Sequence, residues 1–289
     1  MSSQLSSFKS PKGEAEYQLT YDAVLKLWPV PFEEIDIITS FGTTHVIASG
    51  SKGSPSLLVL HACGVSSTMW FPNISALSSA YRVYAVDIIG EPGKSHQSRL
   101  LRDREDCANW LGEVMKGLGL KRTNIAGLSY GGWHTLNFSL FFPDKVNKIV
   151  ALAPGASILP FSWLVLLMLR LLPYVPFKPN PFKSFFNKGF HPNELFSRQF
   201  ASGIKHFRYA DPQESIFTNV FSEAELSRIN VPTLFIVGEN EIIYDPIAAT
   251  EKVNRLIPNA ETKLVPNASH LVSMEQPALV NNHILTFLE

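Results

Sequence analysis

Short, nearly continuous apolar runs bounded by chain breakers recur at LLVLHA (57–62), RVYAVDI (82–88), NIAGLS (124–129), KIVALAP (148–154) and TLFIVGE (233–239). Runs this short do not fill a helix, and their lack of polar alternation predicts strands buried on both faces. Segments 33–41 and 43–49 alternate more and predict an antiparallel pair at one edge. A last strand over 262–265 precedes a helix predicted over 277–288. The rhythm of strand and helix predicts an α/β fold: a mostly parallel central sheet with helices on both faces.

Between 154 and 231 the rhythm breaks. Seven prolines (Pro160, Pro173, Pro176, Pro179, Pro181, Pro192, Pro212) and many aromatics occupy this stretch, and no clear strand is visible. Unstructured connections of this length are uncommon and usually functional, so 158–226 is expected to be a helical cap inserted into a core of 1–157 and 227–289. Residues 1–30 read as an N-terminal extension of that core. Within the cap, FSWLVLLMLRLLPYVPF (161–177) is the most apolar run. It falls short of the roughly 20 apolar residues a membrane span requires, Arg170 interrupts it and two prolines close it. A buried or ligand-facing helix is expected there.

Composition narrows the function classes. The chain has 289 residues, 45% of them hydrophobic, enough for a large core. Equal counts of 25 basic and 25 acidic residues give no net charge, and no Lys/Arg cluster appears, so nucleic acid is not an expected partner. Two cysteines are too few for a disulfide framework, and the first residues lack the apolar core of a signal peptide. These features lead to an expectation of a cytoplasmic protein. They say nothing of its oligomeric state.

Candidate chemistry centres on Gly127-Leu128-Ser129-Tyr130-Gly131, a G-x-S-x-G match placed between strand NIAGL and the helix-compatible run WHTLNFSLFF. That strand–turn–helix context is what a nucleophile elbow requires: small neighbours let the strand and helix close around a strained serine. A serine hydroxyl needs a base. Of eight histidines, His270 alone lies on the loop between the last strand and the last helix, at the same sheet edge as Ser129. An acyl-transfer oxyanion needs two placed N–H donors. The backbone of Tyr130 supplies one. The loop His61-Ala62-Cys63-Gly64, after the first long parallel strand, supplies the other through Cys63.

Together the elbow, the HACG loop, Asp87-Ile88-Ile89-Gly90-Glu91-Pro92-Gly93-Lys94-Ser95 and the His270 loop resemble the α/β-hydrolase superfamily, in its order, from about residue 33 onward. SSTMWFPNI, YAVDIIG, GENEIIYDP and HLVSMEQP make the chain similar to bacterial carboxylesterases of the naproxen-esterase kind. The resemblance implies an α/β-hydrolase fold and ester hydrolysis without cofactor or metal. Ser129 would be the nucleophile, His270 the base, and the Cys63 and Tyr130 backbones the oxyanion donors. It places the triad acid three residues after Gly238, at Glu241, where aspartate is more usual. His61-Ala62 stands where the family has His-Gly. Asp245 is the rival acid, but it directly precedes Pro246 and a helix-like run, a favoured N-cap arrangement.

The expected activity is therefore a serine carboxylesterase acting on small or medium apolar esters, with Trp163, Leu166, Leu167 and Phe182 of the cap as an apolar pocket wall. C–C bond hydrolysis and cofactor-free perhydrolysis would use the same triad. A ligand-sensing regulator would keep the pocket without turnover.

Overall fold

The computed structural model describes residues 5–162, 167, 185–210 and 220–289. Trp163, Leu166 and Phe182, with most of the apolar run at 161–177, lie outside the described residues; Leu167 is described and exposed.

The described strands are β1 (Ser7–Phe8), β2 (Phe32–Thr39), β3 (Gly42–Ser49), β4 (Ser56–Leu60), β5 (Arg82–Val86), β6 (His96–Gln97), β7 (Thr123–Leu128), β8 (Val146–Leu152), β9 (Phe207–Arg208), β10 (Thr233–Gly238) and β11 (Ala260–Val265). The helices are α1 (Pro11–Leu25), α2 (Ile74–Ala80), α3 (Arg104–Gly117), α4 (Tyr130–Phe141), α5 (Glu194–His206), α6 (Glu223–Leu226), α7 (Pro246–Leu256), α8 (Val272–Glu275) and α9 (Pro277–Leu288). One sheet runs β11-β10-β8-β7-β4-β5-β3-β2, with β6 beside β3. β4, β5, β7, β8, β10 and β11 pair in parallel, and β3 pairs antiparallel with both β2 and β5.

Alternation along each strand divides the interior into two cores. Leu58 and Leu60 face one with Trp110, Val114, Trp133 and Val253, from α3, α4 and α7. Leu57 and Val59 face the other with Tyr21, Leu77 and Ile284, from α1, α2 and α9. A period-2 strand presents apolar side chains to both faces only when every position is apolar, which is why these strands read as unbroken runs. Each fully buried leucine contributes on the order of 1.5–3 kcal/mol.

The order of strands decides where the chemistry sits. From β4 the chain crosses to β5 on one side, then returns to β7 on the other, so the carboxyl ends of β4 and β7 are neighbours at a reversal of direction. Leu60 of β4 pairs with Gly127 of β7. Crevices at such reversals are where open α/β sheets bind ligands.

The N-terminal segment is more structured than its polar composition predicts. Ser10 caps α1 by accepting from the Gly13 N–H, and Pro11 sits at the first helical position. Tyr17, Tyr21, Val24 and Leu25 are buried, and β1 pairs antiparallel with β9. Residues 5–25 thus pack against the second half of the expected cap.

Candidate active site

β7 ends at Leu128 and α4 begins at Tyr130, so Ser129 alone turns the chain. Its φ of 54° and ψ of −111° are costly for an L residue, about 1–3 kcal/mol. Neighbouring backbone holds it there. The Ser129 N–H donates to the Leu152 carbonyl at 2.9 Å, and the Ser129 carbonyl accepts from Trp133 N–H at 2.9 Å and Gly155 N–H at 3.1 Å. The turn closes only because Gly127 and Gly131 lack a side chain. A Cβ on Gly127 would overlap the Gly131 carbonyl, and one on Gly131 would overlap that of Leu60. These are backbone clashes that no rotamer relieves.

Ser129, His270 and Glu241 meet across the strand ends. His270 Nε2 lies 2.8 Å from Ser129 Oγ, and its Nδ1 lies 2.8 Å from Glu241 Oε2. A carboxylate accepts only, so Nδ1 carries the hydrogen and Nε2 is left to accept the serine proton. Glu241 is oriented by its own turn: its Oε1 accepts the Ile242 and Ile243 N–H groups at 2.8 and 2.9 Å. Its side chain is fully buried. Asp245 is exposed and caps α7, accepting from Ile247 and Ala248 N–H at 2.9 and 3.0 Å. Of the two competing carboxylates, only Glu241 reaches His270.

The HACG loop leaves β4 beside the elbow and is bonded to it, Gly131 N–H donating to the His61 carbonyl at 3.0 Å. Tyr130 begins α4, where backbone N–H groups and the helix dipole favour developing negative charge. Three of the other histidines are engaged elsewhere. His45 pairs with Asp36 across the β2–β3 hairpin, His134 is buried against Trp110, Tyr130 and Trp133, and His206 faces Glu16 of α1.

Residues 57–283 match the alpha/beta hydrolase family. The chain belongs to that family. It is 40% identical to the uncharacterized carboxylesterase nap of Bacillus subtilis, over 94% of this chain and 91% of that one. It is 38% identical to carboxylesterase YbfK of the same organism, over 97% and 96%. The crystal structure of naproxen esterase (carboxylesterase NP) from Bacillus subtilis superimposes with a TM-score of 0.91 at 39% identity, covering 97% of this chain and 100% of that one.

Three supporting residues of this α/β-hydrolase escaped the reading of the sequence. His61, fully buried, sits with Nδ1 2.8 Å from the Ala62 carbonyl and accepts the Ile88 N–H on Nε2 at 2.8 Å. Burial lowers its pKa below the usual 6.5, which suits a neutral brace. Glu275 accepts the N–H of Ser269, beside the histidine, at 3.0 Å, and that of Asn187 at 2.7 Å; burial raises its pKa. Glu91 holds the HACG loop, as described below. The signal for His61 was its place at the start of the HACG loop. For the two glutamates it was only a charge inside an otherwise apolar or glycine-rich segment.

Two phenylalanines from the expected cap also reach the site. The Phe185 ring lies 6.2 Å from that of His270, and the Phe200 ring stands beside Gly64. Among the described residues, no helix is long and apolar enough to cross a membrane, and no His, Cys, Asp and Glu side chains group to hold a metal ion.

Proposed function

We propose that this chain is a serine carboxylesterase that cleaves small or medium apolar carboxylic esters through an acyl-serine intermediate. The observation that carries the reading is the pair of 2.8 Å hydrogen bonds linking Glu241, His270 and Ser129. The relatives named as carboxylesterases, alike over nearly the whole chain, support the same activity.

In the proposed cycle, His270 Nε2 takes the Ser129 proton as Oγ attacks the ester carbonyl. The backbone N–H groups of Cys63 and Tyr130 hold the resulting oxyanion. Collapse breaks the bond to the alcohol, which leaves with the proton from His270. Water then attacks the acyl-serine and gives its proton to His270; release of the acid returns that proton to Ser129. Glu241 stabilises the imidazolium at each stage without taking its proton.

We extend the proposal to the division of the chain. Residues 158–226 act as a cap over a core of 1–157 and 227–289, and Trp163, Leu166, Leu167 and Phe182 give an apolar wall that selects the acyl group. A cytoplasmic location completes it, supported by a sequence with only two cysteines, Cys63 and Cys107, too few for a disulfide framework.

Ser129→Ala is the decisive variant. Its hydrolysis of a p-nitrophenyl ester is expected to fall on the order of 10⁴-fold or more, with the melting temperature near that of wild type. A folded variant that retains activity overturns the assignment.

A further inference from the structure

Glu91 lies on the turn after β5, is only 2% exposed, and takes no part in the triad. Its Oε2 accepts the Gly64 N–H at 2.8 Å and the Tyr209 hydroxyl at 3.4 Å, and its Oε1 faces the Cys63 thiol at 3.6 Å. Two of these donors belong to the HACG loop. The third follows β9, in the segment that β1 clamps to the N-terminus.

The geometry bears on one residue. Cys63 is flanked by two peptide planes. The plane containing its own N–H also contains the Ala62 carbonyl, which His61 Nδ1 contacts at 2.8 Å. The plane beyond it contains the Gly64 N–H, held by Glu91 at 2.8 Å. A planar peptide turns as a unit, so His61 and Glu91 grip both planes and with them the direction of the Cys63 N–H.

We propose that Glu91 is the positioning residue of the oxyanion loop, gripping the Cys63–Gly64 peptide and tying it through Tyr209 to the cap. The proposal rests on the reading of the Cys63 backbone as an oxyanion donor.

A merely structural role explains this residue poorly, because a buried carboxylate is costly and a neutral side chain of the same shape serves stability as well or better. What the charge adds is grip: an N–H bond to a carboxylate is roughly twice as strong as one to a neutral acceptor. Burial raises the Glu91 pKa from 4.5 to about 7, opposed by the Gly64 N–H, the Cys63 thiol and the Tyr209 hydroxyl. Tyr17 of α1 and Asp87 of the same turn, both buried, are neighbouring titratable groups. The grip therefore weakens just below neutral pH, as the carboxylate takes a proton.

The test compares full-length wild type, Glu91→Gln and Tyr209→Phe in kcat and KM for p-nitrophenyl butyrate across about pH 5.5–9. Melting temperatures and affinity for an aryl trifluoromethyl ketone, which forms a tetrahedral adduct, are measured alongside. Glu91→Gln is expected to lose about 10- to 100-fold in kcat at pH 8 with KM within about twofold, since the oxyanion exists only along the reaction path. Ketone affinity falls with kcat. The component of the acid limb due to Glu91 disappears in this variant. In Tyr209→Phe that limb moves to higher pH, because a donor favouring the charged form is gone.

Glu91→Gln with kcat within about twofold of wild type and an unmoved acid limb overturns the proposal. So does a loss of kcat that tracks the melting temperature in both variants while the limb stays in place. Wild type that is not phosphonylated at Ser129 overturns the underlying esterase reading instead, so the two failures are distinct.

Discussion

At the residue scale, the proposed triad acid turns on a local competition between two carboxylates. Asp245 has the more usual side chain for a triad, but its Oδ1 is engaged by the first turn of α7. Glu241 is one methylene longer, and its second oxygen spans to His270 while the first is held by Ile242 and Ile243 N–H. Glu241→Gln should lower kcat on the order of 10³–10⁴-fold, because an amide neither fixes the tautomer nor stabilises the imidazolium. Asp245→Asn keeps a capping side chain and should leave kcat within a few-fold of wild type. Steady-state kinetics of both variants check this, and the reverse pattern would move the acid to Asp245. Ser129 and Glu241 follow strand ends that the apolar runs mark, and His270 lies between the last strand and the last helix, so the three residues that the structure brings together could be picked out of the sequence. Glu91, His61 and Glu275 were not read from it. Each holds a backbone N–H or carbonyl group, and a backbone group leaves no letter in the sequence.

At the scale of elements, the central strands were legible for a physical reason: burial on both faces removes polar residues, so each strand is an apolar block with visible ends. β8 was expected over 148–154 and runs Val146–Leu152; β10 was expected over 233–239 and runs Thr233–Gly238. α1 was missed although its signals exist, with Ser10 and Pro11 at its start and buried residues at 17, 21, 24 and 25. Polar positions outnumber that stripe, and the helix is held by packing on α5 and by the core it shares with α2 and α9, which local propensity does not reveal. The proposed cap at 158–226 is the harder case, since its seven prolines break the pattern that marks element ends. Its proposed role is testable by substitution. Replacing Trp163 and Leu167 together by alanine should lower kcat/KM for hexanoate esters about tenfold more than for acetate. A single factor across all chain lengths would make these residues structural only.

At the scale of the whole molecule, the buried groups set a dependence on acid. His134, on the buried face of α4, lies fully inside, and its Nε2 has no hydrogen-bond partner among the described residues. Burial lowers its pKa from 6.5 to about 3. The unfolded chain therefore binds a proton between about pH 3 and 6.5 that the native state refuses, so stability is full above that window and is lost as pH falls through it. His134→Phe keeps a ring against Trp110, Tyr130 and Trp133 and removes the proton site. Urea unfolding of the variant should show a shallower loss of stability between pH 6.5 and 4; an unchanged slope would exclude His134 as a contributor. The larger claim is that strands far apart in sequence bring one serine, one histidine and one glutamate into a single reactive unit. Its most direct test is covalent: wild type and Ser129→Ala are incubated with a fluorophosphonate, digested, and the adduct mapped by mass spectrometry. The account predicts one adduct per chain on Ser129 in wild type, slowed in Glu241→Gln and absent from Ser129→Ala. An adduct on another residue, or equal labelling of Ser129→Ala, would contradict it.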